Sequence, residues 1–370
     1  MSSAARKLMS ASGAGGGGAI AVAHDNFPGF TAYSWDVDNG FGGKFTNPST
    51  LPTSFSFVYG VTFSPDGSAI AVAHFNTPYI NAYPWSGSGF GTKYANPATL
   101  PPNVCNGVSF SPDGSAIAVA HGSSPYVSAY PWSGSGFGTK FANPATVPTG
   151  QGKGVAFSPD GSAIAVAHVT SPFVSAYPWS GSGFGTKYAN PATLPTNTGN
   201  SVAFSPDGSA IAVAHISSPN VTAYPWSGSG FGTKYATPYV TPTGTGNGVA
   251  FSTVGDPQIA YDYYVAVGHD LTPFITAYPW SGSGFGTKYS NPSTLPTNAG
   301  FGVNFSPDSS AIAVAHFSSP YVSAYPWSGS GFGTKFSDPA TLPTNTGYGV
   351  DFSPDGSAIA VAHQTSPFVS

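Results

Sequence analysis

Hydrophobic and polar positions alternate in short runs that return at regular intervals along almost the whole chain. In one typical unit, residues 154–188, the run Ala163–His168 alternates small and branched side chains, which is the two-residue period of a β-strand. Three further runs, at 154–157, 172–177 and 184–188, have strand length and are separated by turns rich in Ser, Pro and Gly. No segment shows helical periodicity, so the pattern predicts an all-β unit of four strands.

The unit is repeated, and two independent markers give the same period. The histidine that ends the alternating run occurs eight times, at intervals of 50, 47, 47, 47, 54, 47 and 47 residues. The seven tryptophans repeat the first six of these intervals in the same order. Four short strands in every 40–50 residues or so are typical of a β-propeller blade. We therefore predict a single β-propeller of four-stranded antiparallel blades.

The number of blades is left open by the incomplete units at the two ends of the chain. There are eight copies of the second strand but seven of the first and of the fourth. An unpartnered apolar strand is a liability, so we expect eight blades, with the ring closed by strands from both termini. Residues 1–18 would supply a closing outer strand, at 5–9, or an anchor with a Gly-rich bridge, and residues 19–370 the propeller. Seven blades with an extra C-terminal strand, Ala358–His363, is the alternative.

The unit resembles a WD-repeat blade. The segment Val155-Ala-Phe-Ser-Pro-Asp-Gly161 is similar to the first strand and turn of that family, and Trp179 stands where the family's third strand ends. The resemblance implies a propeller over nearly the whole chain. Three features depart from the family: the Gly-His pair before the first strand is missing, Ser follows the tryptophan except at Asp36, and Ser-Pro or Thr-Pro replaces a turn aspartate. The family's hydrogen-bonded Asp-His-Ser-Trp set is therefore not expected in its usual form.

Composition narrows the classes of function. Only 6% of the residues are charged, the formal net charge is -4, and no basic stripe is present; the field of cations that binds nucleic acid is therefore missing. No run of eighteen apolar residues occurs, so we expect no membrane insertion. The start of the chain is too weakly apolar for a signal peptide. The 48 glycines and 36 prolines recur at fixed intervals and indicate turns rather than disorder.

Three repeated polar residues have structural explanations that we favour over chemical ones. Equivalent histidines lie on different blades, too far apart to share a metal ion, so we expect each to bond its own turn. The aspartates of the Ser-Pro-Asp-Gly turns should accept hydrogen bonds from nearby backbone. No catalytic pair, metal site or cofactor is predicted. The repeated lysines should lie on the outer strand, where charge opposes pairing between sheets; they are Lys44, Lys93, Lys140, Lys187, Lys234, Lys288 and Lys335.

Two positions vary against this near-identical background. One follows each histidine, and the other lies just before each first strand. In an antiparallel hairpin the start of one strand lies beside the end of the next, so both positions should lie on one face of the disc, around the central channel. Such variation is typical of a recognition rim, and drift at unconstrained loop tips is the alternative. The candidate residues are Asp25, Phe75, Asp270 and Phe317 after the histidines, and Tyr59, Asn106, Lys153, Asn200, Asn247, Phe301 and Tyr348 before the first strands.

These observations favour a non-enzymatic binding propeller. Aromatic faces and neutral amides bind saccharides without charge, so a cell-surface glycan is a candidate partner. The Ala-Tyr-Pro-Trp-Ser and Gly-Phe-Gly-Thr-Lys-Tyr segments resemble those of WD-like propellers of bacteriophages and environmental bacteria, and their near-identity indicates recent amplification. The segment Ala5-Arg-Lys-Leu-Met9 resembles the start of some phage tail proteins.

The resemblance implies a virion component: a tail-fibre, tail-tip or head-decoration protein, made in the host cytoplasm and placed on the particle surface beside other virion proteins. A structural scaffold without receptor binding is the first alternative. A propeller hydrolase is the second, with Asp25 and Asp270 as its candidate acidic residues.

Overall fold

The computed structural model describes residues 22–23, 30–52, 57–255, 261–356 and 358–363, and every regular element within them is a β-strand. The repeat unit supplies four strands, counted outward from the centre. The first strands are Val58–Phe63, Cys105–Phe110, Gly152–Phe157, Gly199–Phe204, Gly246–Phe251, Gly300–Phe305 and Gly347–Phe352. The second strands are Ala69–His74, Ala116–His121, Ala163–His168, Ala210–His215, Tyr263–His269, Ala311–His316 and Ala358–His363.

The outer half of each unit is more variable in length. The third strands are Phe30–Asp36, Ile80–Pro84, Val127–Ser133, Val174–Pro178, Val221–Ser227, Ile275–Ser281 and Val322–Ser328. The fourth strands are Gly40–Lys44, Gly136–Phe137, Gly230–Phe231, Gly284–Phe285 and Gly331–Phe332. One further short strand is Val22–Ala23.

Six antiparallel blades are built from strands that are consecutive in the chain. In each of them the first strand pairs with the second, and the second with the third. They span residues 58–90 (blade 1), 105–137 (blade 2), 152–184 (blade 3), 199–231 (blade 4), 246–285 (blade 5) and 300–332 (blade 6).

The strands at the two ends of the described chain form one further sheet, called the shared sheet below. Its strand order is Gly347–Phe352, Ala358–His363, Val22–Ala23, Phe30–Asp36 and Gly40–Lys44. Within it, Ile359 lies opposite Tyr33, and Val22 lies opposite Thr31. The first strand of the shared sheet lies between the first strands of blades 6 and 1.

The expectation of eight blades is therefore wrong. That expectation gives Ala358–His363 a blade of its own, because the strand finds too few partners within its own unit. In the structure its second partner, Phe30–Asp36, comes from the other end of the chain. The seven-blade alternative is wrong in treating Ala358–His363 as an extra strand, since it stands between a first and a third strand. The expected closing strand at 5–9 and the anchor within 1–18 lie outside the described residues.

The outermost strand is shorter than the sequence predicts. In blade 3 the run 184–188 forms only one bridge, between Trp179 and Phe184. The third strand ends at Pro178, the residue before Trp179. Pro178 has no N–H to donate, so the ladder of hydrogen bonds to the fourth strand stops there. Of the repeated lysines, only Lys44 lies in a described strand. The others follow the fourth-strand position, and four of them donate to an asparagine three residues later, as Lys288 does to Asn291 at 2.5 Å.

The core lies between neighbouring blades, where the two faces of each second strand differ. Ala163, Ala165 and Ala167 of blade 3 pack against the larger Ile211 and Val213 of blade 4. The opposite face of the same strand, with Ile164 and Val166, packs against the alanine face of blade 2. All these side chains are fully buried. A small face against a large face lets the sheets pack closely without voids.

Candidate binding site in the central channel

The first strands surround a central channel that contains a cavity of about 510 Å³. All seven residues of the variable position before the predicted first strands line this cavity: Tyr59, Asn106, Lys153, Asn200, Asn247, Phe301 and Tyr348. They lie within the first strands because these strands begin earlier than predicted, at Gly152 in blade 3.

The second variable position lies at the same end of the channel. In the six units where this position is described, the amide of the residue after the histidine donates to a carbonyl two residues before the channel-lining position, as Phe75 N does to Phe57 O at 2.9 Å. Phe75 also lines the cavity. Phe317 is 49% exposed and is not among the lining residues, and Asp25 lies outside the described residues.

Glycines next to the lining residues bring neighbouring first strands into close contact. A Cβ added to Gly107 would lie 2.9 Å from the carbonyl oxygen of Lys153 in the next blade. A Cβ on Gly302 would lie 2.7 Å from the Cα of Gly349. Real Cβ atoms do not approach backbone this closely, so glycine is required for the spacing of the first strands. The lining residues are therefore held on a narrow, tightly packed ring of backbone.

The lining residues divide into two continuous arcs. Phe301 of blade 6, Tyr348 of the shared sheet and Tyr59 of blade 1 are neighbours around the channel. The ring centroids of Phe301 and Tyr348 are 5.1 Å apart, and those of Tyr348 and Tyr59 are 5.4 Å apart. Phe57 stacks on Tyr59 at 6.2 Å. These four residues are called the aromatic arc below.

The remaining lining positions form a polar arc: Asn106, Lys153, Asn200 and Asn247, on blades 2 to 5. The asparagines connect neighbouring blades. Asn106 Nδ2 donates to Gly152 O at 2.7 Å, and Asn200 Nδ2 donates to Gly246 O at 3.0 Å. Asn247 Nδ2 donates both to Gly300 O at 3.0 Å and to Asp270 Oδ1 at 2.7 Å. Asn247 thus uses both of its N–H donors within the protein, whereas Asn106 and Asn200 each use one and have a second N–H and the carbonyl oxygen to offer to a ligand.

The electrostatics of the channel are dominated by one cation. Among the described residues that line the cavity there is no carboxylate, and Lys153 is the lysine on its wall. Burial lowers the pKa of Lys153 from its usual value. On the opposite side, burial raises the pKa of Tyr348 to about 12, and the neighbouring Tyr59 adds to this effect. Both tyrosines are therefore neutral at physiological pH, and the lysine carries the charge.

The sequence predicts the seven lining residues before the first strands but misses Phe57. Of the described candidates after the histidines, Phe75 lines the cavity, whereas Asp270 and Phe317 do not. Phe57 lies just before the strand Val58–Phe63, whose register shifts between Val58 and Gly60, so strand alternation does not predict its position. The division into arcs has no sequence signal either. Tyr348 and Tyr59 are neighbours only because the shared sheet brings the two ends of the chain together.

The turn aspartates have the local partners that the sequence predicts, whereas the partners of the repeated histidines vary. Nδ1 of His215 lies 3.3 Å from Thr196 Oγ1, which is outside its own turn. His121 bonds the carbonyl of Ser123 in its own turn through Nδ1 at 2.8 Å and Ser128 Oγ through Nε2 at 2.9 Å. Asp113 accepts from Ser111 Oγ at 2.6 Å and from the amide of Ser115 at 3.0 Å, and these bonds lower its pKa. Within the described ranges, no cluster of three His, Cys or Asp side chains is placed to hold a metal ion.

No helix that could cross a membrane is found in the part of the chain that the structure describes.

Comparison with known proteins identifies the fold and no family. No protein-family model matches the chain, and no curated protein matches it. Among solved structures, a chain of the Kuenenia stuttgartiensis hydrazine synthase matches with a TM-score of 0.62 at 13% sequence identity, covering 86% of this chain and 96% of that one. At this identity the likeness shows the fold alone. The chain is thus a β-propeller with repeated blades.

Proposed function

We propose that this chain is a non-enzymatic binding propeller of a bacteriophage virion, a tail-fibre, tail-tip or head-decoration protein, that contacts the host surface or its glycans through the mouth of the channel. The observation that carries the proposal is the pairing of an aromatic arc with a polar arc in one cavity. Sugar rings have apolar faces and hydroxyl edges, so they match a site with aromatic rings on one side and amide oxygens on the other.

Two further points support binding over catalysis. The cavity has a volume of about 510 Å³, which is within the range of small-molecule sites. The described residues of its lining offer no carboxylate for general acid or base catalysis. Asp270, the described candidate for a hydrolase, accepts a hydrogen bond from Asn247 at 2.7 Å. The virion assignment is supported by the likeness of the repeats to those of WD-like phage propellers.

The test is binding of the full chain to a panel of bacterial cells and surface glycans, beside two variants. The first changes Tyr59, Phe301 and Tyr348 to Ala. The second changes Tyr239, a fully exposed tyrosine in the loop between blades 4 and 5, to Ala. We expect the first variant to lose binding by at least about tenfold while its thermal unfolding stays cooperative, and the second to bind like the parent.

A structural propeller without receptor binding is the second candidate. The observation that favours it is the set of asparagine bonds between blades, which gives the polar arc a purely architectural role. Under this alternative the parent binds no cell and no glycan, and its neighbours are found by cross-linking within the particle. Under the recognition proposal the parent binds, and the loss follows the aromatic arc.

A further inference from the structure

We propose that the channel selects a saccharide that carries a carboxylate, with the sugar ring against the aromatic arc and the carboxylate on Lys153. This inference rests on the proposed function and adds the chemical class of the ligand. The observation behind it is the position of Lys153 in the cavity, across the channel from the aromatic arc.

Lys153 stands across the channel from the aromatic arc. Going around the first strands from blade 3, three blade-to-blade steps in one direction lead to Phe301, and three in the other lead to Tyr348. Because there are seven lining positions around the channel, the positions three steps away, Phe301 and Tyr348, are the two farthest from Lys153. A ligand that spans the cavity therefore meets an aromatic face at one side and an ammonium group at the other.

Among the described residues, no carboxylate pairs with Lys153. The ion pair among the described residues is between Lys335 and Asp338, outside the channel. The described carboxylate nearest to the polar arc, Asp270, is bonded to Asn247, two blades away from Lys153. Five of the repeated lysines outside the channel each donate to an asparagine side chain three residues later, as in Lys93 to Asn96 at 2.5 Å. Lys153 has no such bond within the described part of the chain.

The chemistry of the two arcs restricts the ligand. A cationic ligand would fit the aromatic rings but is repelled by Lys153. A neutral saccharide would leave the half-buried ammonium unpaired, whereas an anion compensates the cost of its partial desolvation. One cation suits a single carboxylate, and the neighbouring Asn106 and Asn200 have carbonyl oxygens that accept hydroxyl protons. An acidic sugar satisfies all three features of the cavity at once.

The experiment compares four ligands on the full chain: trigalacturonic acid, its methyl ester, the neutral galactose trisaccharide and a tri-aspartate peptide. It uses the parent, Lys153→Asn and the control Lys187→Asn. Lys153→Asn places in blade 3 the residue that blades 2, 4 and 5 already carry there, so the variant should fold. Lys187→Asn removes the same charge from a lysine outside the channel. Isothermal titration at two salt concentrations gives the affinities.

We expect the parent to bind the acid about tenfold more tightly than its ester, as for a charge-assisted bond, with a preference that falls at higher salt. Lys153→Asn should bind acid and ester alike, and Lys187→Asn should behave as the parent. Equal binding of acid and neutral sugar by the parent would overturn the inference but leave the proposed recognition function intact. No binding of any saccharide would overturn both. Tighter Lys153-dependent binding of a tri-aspartate peptide would replace the saccharide by an acidic protein segment.

Discussion

Single glycines set the spacing of the first strands, and the space left for an added Cβ differs from one glycine to another. A Cβ on Gly302 would meet only backbone atoms, at 2.7 Å from the Cα of Gly349 and 2.9 Å from the carbonyl oxygen of Tyr348. A Cβ on Gly60 would meet its nearest atom, the Cα of Gly107, at 3.3 Å. Adding a methyl group should therefore lower the free energy of unfolding by different amounts at these two equivalent positions.

We predict that Gly302→Ala lowers the free energy of unfolding by about 1–3 kcal/mol, the usual range for overpacking, and that Gly60→Ala costs clearly less. Denaturant unfolding of both variants measures the difference. The ring accepts a small side chain at one such position, since Ser201 occupies it in blade 4. Equal losses in the two variants would contradict the role given to the close approach of Gly302 and Gly349.

At the scale of the element, the shared sheet differs from the blades in how its strands are connected. In blade 3 the second and third strands, Ala163–His168 and Val174–Pro178, are joined by a short turn. In the shared sheet the corresponding strands, Ala358–His363 and Phe30–Asp36, are separated by more than 300 residues of chain. Separated strands gain more freedom when they part, so local opening should be easier in the shared sheet.

We predict faster amide exchange for Tyr33 and Ile359 than for Tyr177 and Ile164, the same pair of positions in blade 3. Hydrogen exchange with mass spectrometry on the full chain gives the comparison. Ile359→Ala should accelerate exchange in the shared sheet by removing a fully buried side chain, and Ile164→Ala should not. Equal protection of the two pairs in the parent would show that chain connectivity has no influence there.

The sequence predicts those elements whose pattern is local. Ala163–His168 has the predicted bounds, because small and branched residues alternate along its whole length and both faces are buried between blades. The fourth strand is shorter than the sequence predicts, because it pairs with one strand only and that strand ends in Pro178 in blade 3. The pairing of Ala358–His363 with Phe30–Asp36 joins incomplete units from opposite ends of the chain. The residue pattern of neither strand indicates that the other will be its partner. The same holds for the aromatic arc, which is assembled across the shared sheet.

At the scale of the whole molecule, the repeat places the same buried histidine in six units, so their effects on the pH dependence of stability add. Burial lowers the pKa of six equivalent histidines from 6.5 to about 4; they are His74, His121, His168, His215, His269 and His316. Each is neutral when folded and binds a proton more readily when unfolded. The stability that each contributes is therefore complete above pH 6.5 and is lost as the pH falls toward 4.

One buried group acts in the opposite direction. Asp351 accepts bonds from Phe63 N at 3.0 Å and Asn304 Nδ2 at 2.7 Å, and burial raises its pKa to about 6. A raised carboxyl pKa favours the folded state at low pH, and that contribution is lost as the pH rises from about 4 to 6. One such group offsets about one of the six histidines.

We predict that the free energy of unfolding falls steeply between pH 6.5 and 4. Each histidine contributes a slope of up to about 1.4 kcal/mol per pH unit. Denaturant unfolding at pH 7.5, 6.0, 5.0 and 4.5 measures the slope, and calorimetry in buffers of different ionisation enthalpy counts the protons taken up on unfolding. A free energy of unfolding that stays constant from pH 7 to 4.5 would be incompatible with six buried neutral histidines.

The shared sheet also determines how the molecule responds to a pull on its two ends. The chain enters Phe30–Asp36 at Phe30 and leaves Ala358–His363 at His363. Both points are at the same edge of an antiparallel pair, because Ala32 lies opposite Ala360 and Ser34 opposite Ala358. Tension applied to the two ends first parts the two-residue strand Val22–Ala23 from Val361. It then loads the hydrogen bonds of the antiparallel pair one after another from that end, because these bonds run perpendicular to the strands. A propeller tethered at both ends would therefore unzip at the shared sheet under low force, before blades 1 to 6 carry any of the load.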